Sequence, residues 1–127
     1  MKKIAILASG SGSNAEKIIL HFRNRTDVAV EMVLANRPDA GVLERARRLE
    51  IPVRIFDREE FRREDGVLRT LEEAKIDYLI LAGFLWLVPP PIIRRFEGRI
   101  YNIHPALLPA FGGKGFYGMK VHQAMID

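Results

Sequence analysis

Cysteine is absent from this chain of 127 residues, which also contains only three histidines and one tryptophan. Without cysteine there is no disulfide bond, no thiolate metal site and no cysteine nucleophile. Three scattered histidines are too few for a metal cluster, so no metal is expected. No apolar run approaches the ~20 residues of a membrane span, and the amino-terminal run is too short for a signal peptide. These absences predict a cytoplasmic protein with no membrane partner.

The composition predicts one folded domain over residues 1–127. Hydrophobic residues make up 48% of the chain and charged residues 28%, which is enough apolar material for a packed core. The net charge of +4 suits an anionic partner but does not identify one. Arg58, Arg62 and Arg63 are interspersed with acidic residues, which disfavours a nucleic-acid partner. A solvated helix face is expected of the arginines in the second helical segment, Arg45, Arg47 and Arg48.

Short apolar stretches alternate about five times with segments of helical periodicity. Buried strands are predicted over residues 4–8, 28–35, 53–56, 77–83 and 99–103. Helical crossovers between successive strands require a parallel arrangement. We therefore expect an α/β fold, with a doubly wound, mostly parallel sheet and helices on both faces. In such sheets ligands bind outside the carboxyl ends of the strands.

A glycine-rich turn follows the first strand. Gly10 and Gly12 allow a tight turn, and Ser13 and Asn14 lie at the start of the following helix. Backbone N–H groups at a helix start favour an anion such as a phosphate. The alternative is an ordinary helix cap made by a serine or asparagine side chain. The glycines also fit the permissive dinucleotide fingerprint, but Asn36 stands where a ribose-binding acid is expected, which disfavours a nicotinamide cofactor.

An apolar segment, Phe84, Leu85, Trp86, Leu87 and Val88, leaves the fourth strand. Core packing is one interpretation, and it is the better one for Phe84. The segment also lies at a strand end, where apolar side chains could line a slot for a flat aromatic ligand. Both interpretations remain open at this point.

Asn102 and His104 end the fifth strand, and alternation in a strand places both on one side. An amide can donate to a developing oxyanion, and an imidazole can shuttle a proton near neutral pH. The alternative is a buried hydrogen-bonded pair that fixes the turn into Pro105. No adjacent serine suggests a catalytic triad. Four glycines within residues 112–118 predict a flexible loop after the site.

Three motifs together resemble the phosphoribosylglycinamide formyltransferase family, also called glycinamide ribonucleotide transformylases. They are SGSGSN at residues 9–14, LAGF at residues 81–84 and NIHPALLP at residues 102–109. The similarity runs along the whole chain, with the motifs in order and at the right spacing. The third motif is highly specific for folate-dependent formyltransferases and their relatives. The resemblance implies a Rossmann-like formyltransferase fold.

The resemblance also implies an activity and its substrates. Enzymes of this family transfer a formyl group from 10-formyltetrahydrofolate, a co-substrate, to the amine of glycinamide ribonucleotide in purine biosynthesis. Gly12, Ser13 and Asn14 would hold the substrate phosphate. Leu85, Trp86, Leu87 and Val88 (residues 85–88) and Asn102 would bind the formylfolate. Both partners are small molecules.

The implied catalytic residues are Asn102 and His104, which would stabilise the tetrahedral intermediate of a direct transfer. Family members carry an aspartate and a second histidine in a segment that would lie beyond position 127. The chain therefore resembles the amino-terminal part of such an enzyme, and poor activity is expected of these residues alone. A basic folate contact could come from Arg58, Arg62 or Arg63.

Several alternatives remain open. The chain could belong to a related enzyme that uses formyltetrahydrofolate. It could be a non-catalytic nucleotide-binding module if the 127 residues are complete, and a basic nucleic-acid binder is a third possibility. Both a monomer and a homodimer are compatible with the sequence.

Overall fold

The structure is a computed structural model that describes residues 1–103. Its elements run in the order β1 (Lys2–Ala8), α1 (Ser13–Phe22), β2 (Val28–Ala35), α2 (Gly41–Arg48), β3 (Val53–Ile55), α3 (Arg58–Arg62), α4 (Val67–Glu73), β4 (Tyr78–Ala82), α5 (Pro90–Arg95) and β5 (Ile100–Ile103). The expectations for His104 and for the glycine-rich loop at 112–118 lie outside the described residues.

The five strands form one sheet in the order β3-β2-β1-β4-β5, and all four pairs are parallel. β1 lies at the centre, where it pairs with β2 on one side and β4 on the other. Ile6, for example, is in register with Val33 of β2 and Ile80 of β4. The predicted α/β fold with a parallel sheet is therefore confirmed.

Helices cover both faces of the sheet. α1 and α2 pack on one face, and α3, α4 and α5 pack on the other. In α1 the buried residues Ala15, Ile18, Ile19 and Phe22 recur at helical spacing, which gives the helix one apolar stripe. On the opposite face the largest fully buried side chain is Phe96, which follows α5. The doubly wound arrangement follows from these two apolar layers.

The short helix α3 was not predicted from apolar periodicity. It begins with a capping box: the Asp57 carboxylate accepts from the Glu60 N–H at 2.8 Å, and the Glu60 carboxylate accepts from the Asp57 N–H at 3.3 Å. This reciprocal pair is a sequence signature of a helix start. The helix is too short for a periodic pattern, and its one buried residue is Phe61. The capping signature could have revealed it.

The turn between α1 and β2 contains a bidentate ion pair. The Arg25 guanidinium donates to both carboxylate oxygens of Asp27, at 2.9 and 2.8 Å. These hydrogen bonds, assisted by charge attraction, lower the pKa of Asp27 and raise the pKa of Arg25. Both groups are exposed to solvent, so salt screens their attraction.

We expect the Asp27 carboxyl to titrate below its ordinary range, because the hydrogen bonds from Arg25 favour the charged form. The resulting stabilisation is present above the unfolded-state pKa and is lost as the pH falls through the lower, folded-state pKa. An NMR titration of the Asp27 side-chain carbon in the wild type and in Arg25→Gln measures the shift. Arg23→Gln, which leaves the pair intact, is the control. An unchanged midpoint in Arg25→Gln would contradict the assignment.

Within residues 1–103, no helix is both long enough and apolar enough to span a membrane.

Candidate functional site

The carboxyl ends of β1, β4 and β5 bring three predicted site segments to one edge of the sheet. The glycine-rich turn follows β1, the apolar segment at residues 84–88 follows β4, and Asn102 lies in β5. β4 sits between β1 and β5, and neighbouring strands are about 5 Å apart. Residues that are far apart in the sequence therefore come together at the carboxyl end of the sheet.

The glycine-rich turn leads directly into α1. Gly12 is the residue before the helix and adopts a left-handed backbone with φ of 83°. No side chain within residues 1–103 caps the helix start, so the alternative of an ordinary cap by Ser13 or Asn14 is wrong. Ser13 is exposed and Asn14 is half-buried. The first turn of α1 thus has N–H groups that no side-chain cap uses, as an anion site requires.

Arg45 of α2 supports this turn. Its Nε donates to the Ser11 carbonyl oxygen at 2.8 Å, and its Nη1 contacts the Glu16 carboxylate at 3.2 Å. The Val42 N–H donates to the Gly10 carbonyl oxygen at 3.0 Å. The expectation of a solvated arginine face is therefore wrong for Arg45. Sequence periodicity places a residue on a helix face but does not show which loop lies against that face.

We expect Arg45→Gln to lower the free energy of unfolding by about 1 kcal/mol, because the Ser11 carbonyl loses a charged donor. Chemical denaturation measures the change. Arg47→Gln is the matched control, since Arg47 lies on the same helix with its side chain exposed. An equal loss in both variants would show that the bond to Ser11 contributes nothing specific.

The apolar segment after β4 forms one wall of a groove. Its side chains alternate: Phe84, Trp86 and Val88 turn towards the core, whereas Leu85 and Leu87 are 76% and 95% exposed. The groove has a volume of about 540 Å³ and is also lined by Arg58, Phe61, Arg62, Pro89 and Pro90. Core packing thus holds for Phe84, Trp86 and Val88, and a ligand slot lined by Leu85 and Leu87 stays a prediction.

The Phe61 ring of α3 forms the aromatic base of the groove, and Phe56 packs behind it. The Phe61 ring centroid lies 5.4 Å from that of Phe84 and 6.0 Å from that of Trp86. Phe56 packs against Phe61 at 5.0 Å. The Arg58 guanidinium carbon lies 4.2 Å from the Trp86 ring centroid, a cation–π contact. The sequence interpretation missed Phe61, because it did not predict α3.

Asn102 is half-buried in β5, in register with Leu81 of β4. By alternation it shares the face of Ile100, which packs with α3, α4 and α5. That face also carries the aromatic base of the groove. Within residues 1–103 no hydrogen bond involves the Asn102 side chain. His104, its predicted partner, lies outside the described residues, so their shared orientation stays a prediction.

Asn36, at the end of β2, presents an amide where dinucleotide-binding proteins carry an acid. The residue is buried, and its Oδ1 has no hydrogen-bond partner within the described part of the chain. The same part of the chain contains no group of three or more His, Cys, Asp or Glu residues arranged to hold a metal ion.

The family profile and the curated relatives that this chain matches point to one family. The profile of the family described as "Formyl transferase" matches residues 2–126. The chain is 41% identical to a chloroplastic phosphoribosylglycinamide formyltransferase of Arabidopsis thaliana, across 99% of this chain and 45% of that protein. It is 37% identical to phosphoribosylglycinamide formyltransferase of Haemophilus influenzae, across 92% of this chain and 58% of that protein. The chain thus spans about half the length of these curated relatives.

Solved structures agree with the sequence relatives. The crystal structure of glycinamide ribonucleotide transformylase 1 from Geobacillus kaustophilus superimposes with a TM-score of 0.72 at 38% identity, covering 98% of this chain and 68% of that one. Phosphoribosylglycinamide formyltransferase from Brucella melitensis gives a TM-score of 0.75 at 35% identity, covering 89% and 62%. With a family profile that matches nearly every residue and a sheet shared with these enzymes, the chain belongs to the formyl transferase family.

Proposed function

We propose that this chain provides the phosphate-binding turn, the formylfolate groove and part of the catalytic centre of a phosphoribosylglycinamide formyltransferase. One observation carries the proposal: the turn after β1, the groove after β4 and Asn102 in β5 lie side by side at the carboxyl edge of the sheet. An enzyme that joins two substrates needs both sites within reach of one reacting centre. The relatives described above, which bear this enzyme's name, support the choice of substrates.

Glycinamide ribonucleotide would bind with its phosphate at Gly12, Ser13 and Asn14. The uncapped start of α1 offers backbone N–H groups, and its helix dipole favours negative charge. The co-substrate 10-formyltetrahydrofolate would place its flat pterin in the groove formed by Leu85, Trp86, Leu87 and Val88 (residues 85–88). Apolar walls there would exclude water, while backbone groups of the segment would pair with the polar edge of the ring.

The proposed reaction is a direct transfer. The amine of glycinamide ribonucleotide attacks the formyl carbon, and the carbonyl oxygen becomes negatively charged in a tetrahedral intermediate. The Asn102 amide and a protonated His104 would donate hydrogen bonds to that oxygen. Collapse of the intermediate breaks the bond from carbon to the folate nitrogen, and the proton lost by the attacking amine passes to that nitrogen with the help of His104. Tetrahydrofolate and the formylated ribonucleotide leave.

Formyl transfer from 10-formyltetrahydrofolate to glycinamide ribonucleotide, assayed with the complete gene product, tests the proposal. We expect turnover that requires both substrates and is lost when the ribonucleotide phosphate is removed. Hydrolysis of formyltetrahydrofolate without transfer would favour a related folate enzyme instead. Saturable nucleotide binding with no folate chemistry would favour a binding module.

The proposed cellular setting is the cytoplasm, although the name of the Arabidopsis relative places that protein in the chloroplast. Whether the protein is a monomer or a homodimer stays a prediction, as does the absence of nucleic-acid and membrane partners.

A further inference from the structure

Ser9 is a buried polar residue that the proposed mechanism does not use. It follows β1 directly and is 1% exposed. Its Oγ accepts a hydrogen bond from the Leu85 backbone N–H at 3.0 Å. The bond joins two loops that are 76 residues apart in the sequence. It therefore connects the start of the phosphate-binding turn to the start of the groove wall.

The groove wall has little else to fix its backbone at this point. Gly83, just before it, adopts a left-handed backbone with φ of 68°, and the Leu85 side chain is largely exposed. Phe84 and Trp86 on either side are held by aromatic contacts. In the part of the chain that the structure describes, no other hydrogen bond joins residues 84–88 to a different element. Among residues 1–103, the Ser9 hydroxyl is thus the hydrogen-bonding restraint on the backbone of the wall.

We propose that Ser9 is a positioning residue, whose hydroxyl holds the Leu85 backbone and thereby sets the shape of the groove at the carboxyl end of β4. Ser9 does not line the groove, so it acts through Leu85 rather than by touching a ligand. Loss of the hydroxyl leaves a partly buried N–H without its acceptor, which frees the segment to move. Because binding depends on the placement of the wall, a loose wall weakens binding at the groove.

The first arm of the test needs no substrate. Trp86 lies in the groove wall and is the only tryptophan of the chain, so its fluorescence reports on this segment. We expect acrylamide to quench Trp86 about twice as efficiently in Ser9→Ala as in the wild type, because an unrestrained segment opens more often. Ser9→Cys preserves the shape but is a weaker acceptor, and its quenching should fall between the two.

Thr70→Ala is the matched control. It removes a half-buried hydroxyl that bonds to the Gly66 carbonyl oxygen next to α4, outside the groove. Its quenching should equal that of the wild type. Circular dichroism verifies the fold of each variant, and Ser9→Cys carries the test if Ser9→Ala does not fold. Equal quenching in all folded variants, or an equal rise in Ser9→Ala and Thr70→Ala, would overturn the proposal.

The second arm rests on the proposed function and uses the complete gene product. We expect Ser9→Ala to raise KM for 10-formyltetrahydrofolate about tenfold, with KM for glycinamide ribonucleotide changed less than about twofold. A general loss of stability would not separate the two substrates. Equal rises in both KM values would overturn the positioning role. If the wild type transfers no formyl group and Ser9→Ala still quenches more strongly, the proposed function fails while the role of Ser9 stands.

Discussion

Asn102→Ala in the complete gene product is expected to lower kcat for formyl transfer by about 10²–10³-fold, the usual effect of removing one oxyanion donor. The amide is available for this role, because it is half-buried at the site edge and no hydrogen bond within residues 1–103 engages it. The hydrogen bond strengthens as the formyl oxygen gains charge, so kcat should fall more than KM for 10-formyltetrahydrofolate rises, and KM for glycinamide ribonucleotide should change little. Steady-state kinetics with each substrate varied in turn measures the effect.

Tyr101→Phe is the control for that experiment. Tyr101 lies in the same strand but on the other face of the sheet, where its ring packs against Tyr78. Its hydroxyl donates weakly to the Gly98 carbonyl oxygen at 3.4 Å. We expect kcat to stay within about twofold of the wild type. Near-normal turnover in Asn102→Ala would show that the reacting oxygen finds its donors elsewhere, and the proposed centre would have to be abandoned.

Gly12→Ala is expected to lower the free energy of unfolding by about 2–5 kcal/mol. A methyl group at this position would lie 2.5 Å from both Cα and Cβ of Val42 in α2, which is closer than atoms can pack. The residue also has φ of 83°, a left-handed backbone that costs an L-residue about 1–2 kcal/mol. Overpacking against backbone adds a further 1–3 kcal/mol or so. Denaturant unfolding followed by circular dichroism gives the value.

Gly98→Ala separates the cost of the left-handed backbone from the cost of the close contact with Val42. Gly98 has a similar φ of 75°, but an added methyl group would have no neighbour within 4 Å in the part of the chain that the structure describes. Its substitution should therefore cost only the backbone term, about 1–2 kcal/mol. If the two variants lose equal stability, the close approach of Gly12 to Val42 does not matter. In Gly12→Ala we also expect weaker binding of glycinamide ribonucleotide, since the turn has to move away from α2.

The sequence was sufficient to predict the sheet, because its strands are continuous apolar runs between clear turns. Every predicted strand overlaps an observed one, and β2 matches at both ends. The amino-terminal limit differs: β1 begins at Lys2, although the apolar run begins at Ile4. The Lys2 N–H donates to the Asp27 carbonyl oxygen, so backbone pairing extends the strand beyond its hydrophobic segment.

The site was only partly predictable, since motifs identify loops but not the residues that support them. Glycine content and apolar composition indicated the turn at Gly12 and the wall at 85–88, whose ligand roles stay predictions. Ser9 and Arg45 were not, because their roles depend on contacts 76 and 34 residues away in the sequence. Such pairings arise from the strand order, which local periodicity does not contain.

The central strand has one further consequence. From β1 the chain turns to one side of the sheet to form α1, and from the adjacent β4 it turns to the opposite side to form α5. In sheets of this kind, two diverging connections leave a cleft that depends on the path of the main chain rather than on bulky or small side chains. Residues along the cleft can therefore be exchanged while the hydrophobic layers stay intact. If the groove binds the formylfolate as proposed, a library randomised at the exposed Leu85 and Leu87 is expected to change ligand preference and to leave the scaffold intact.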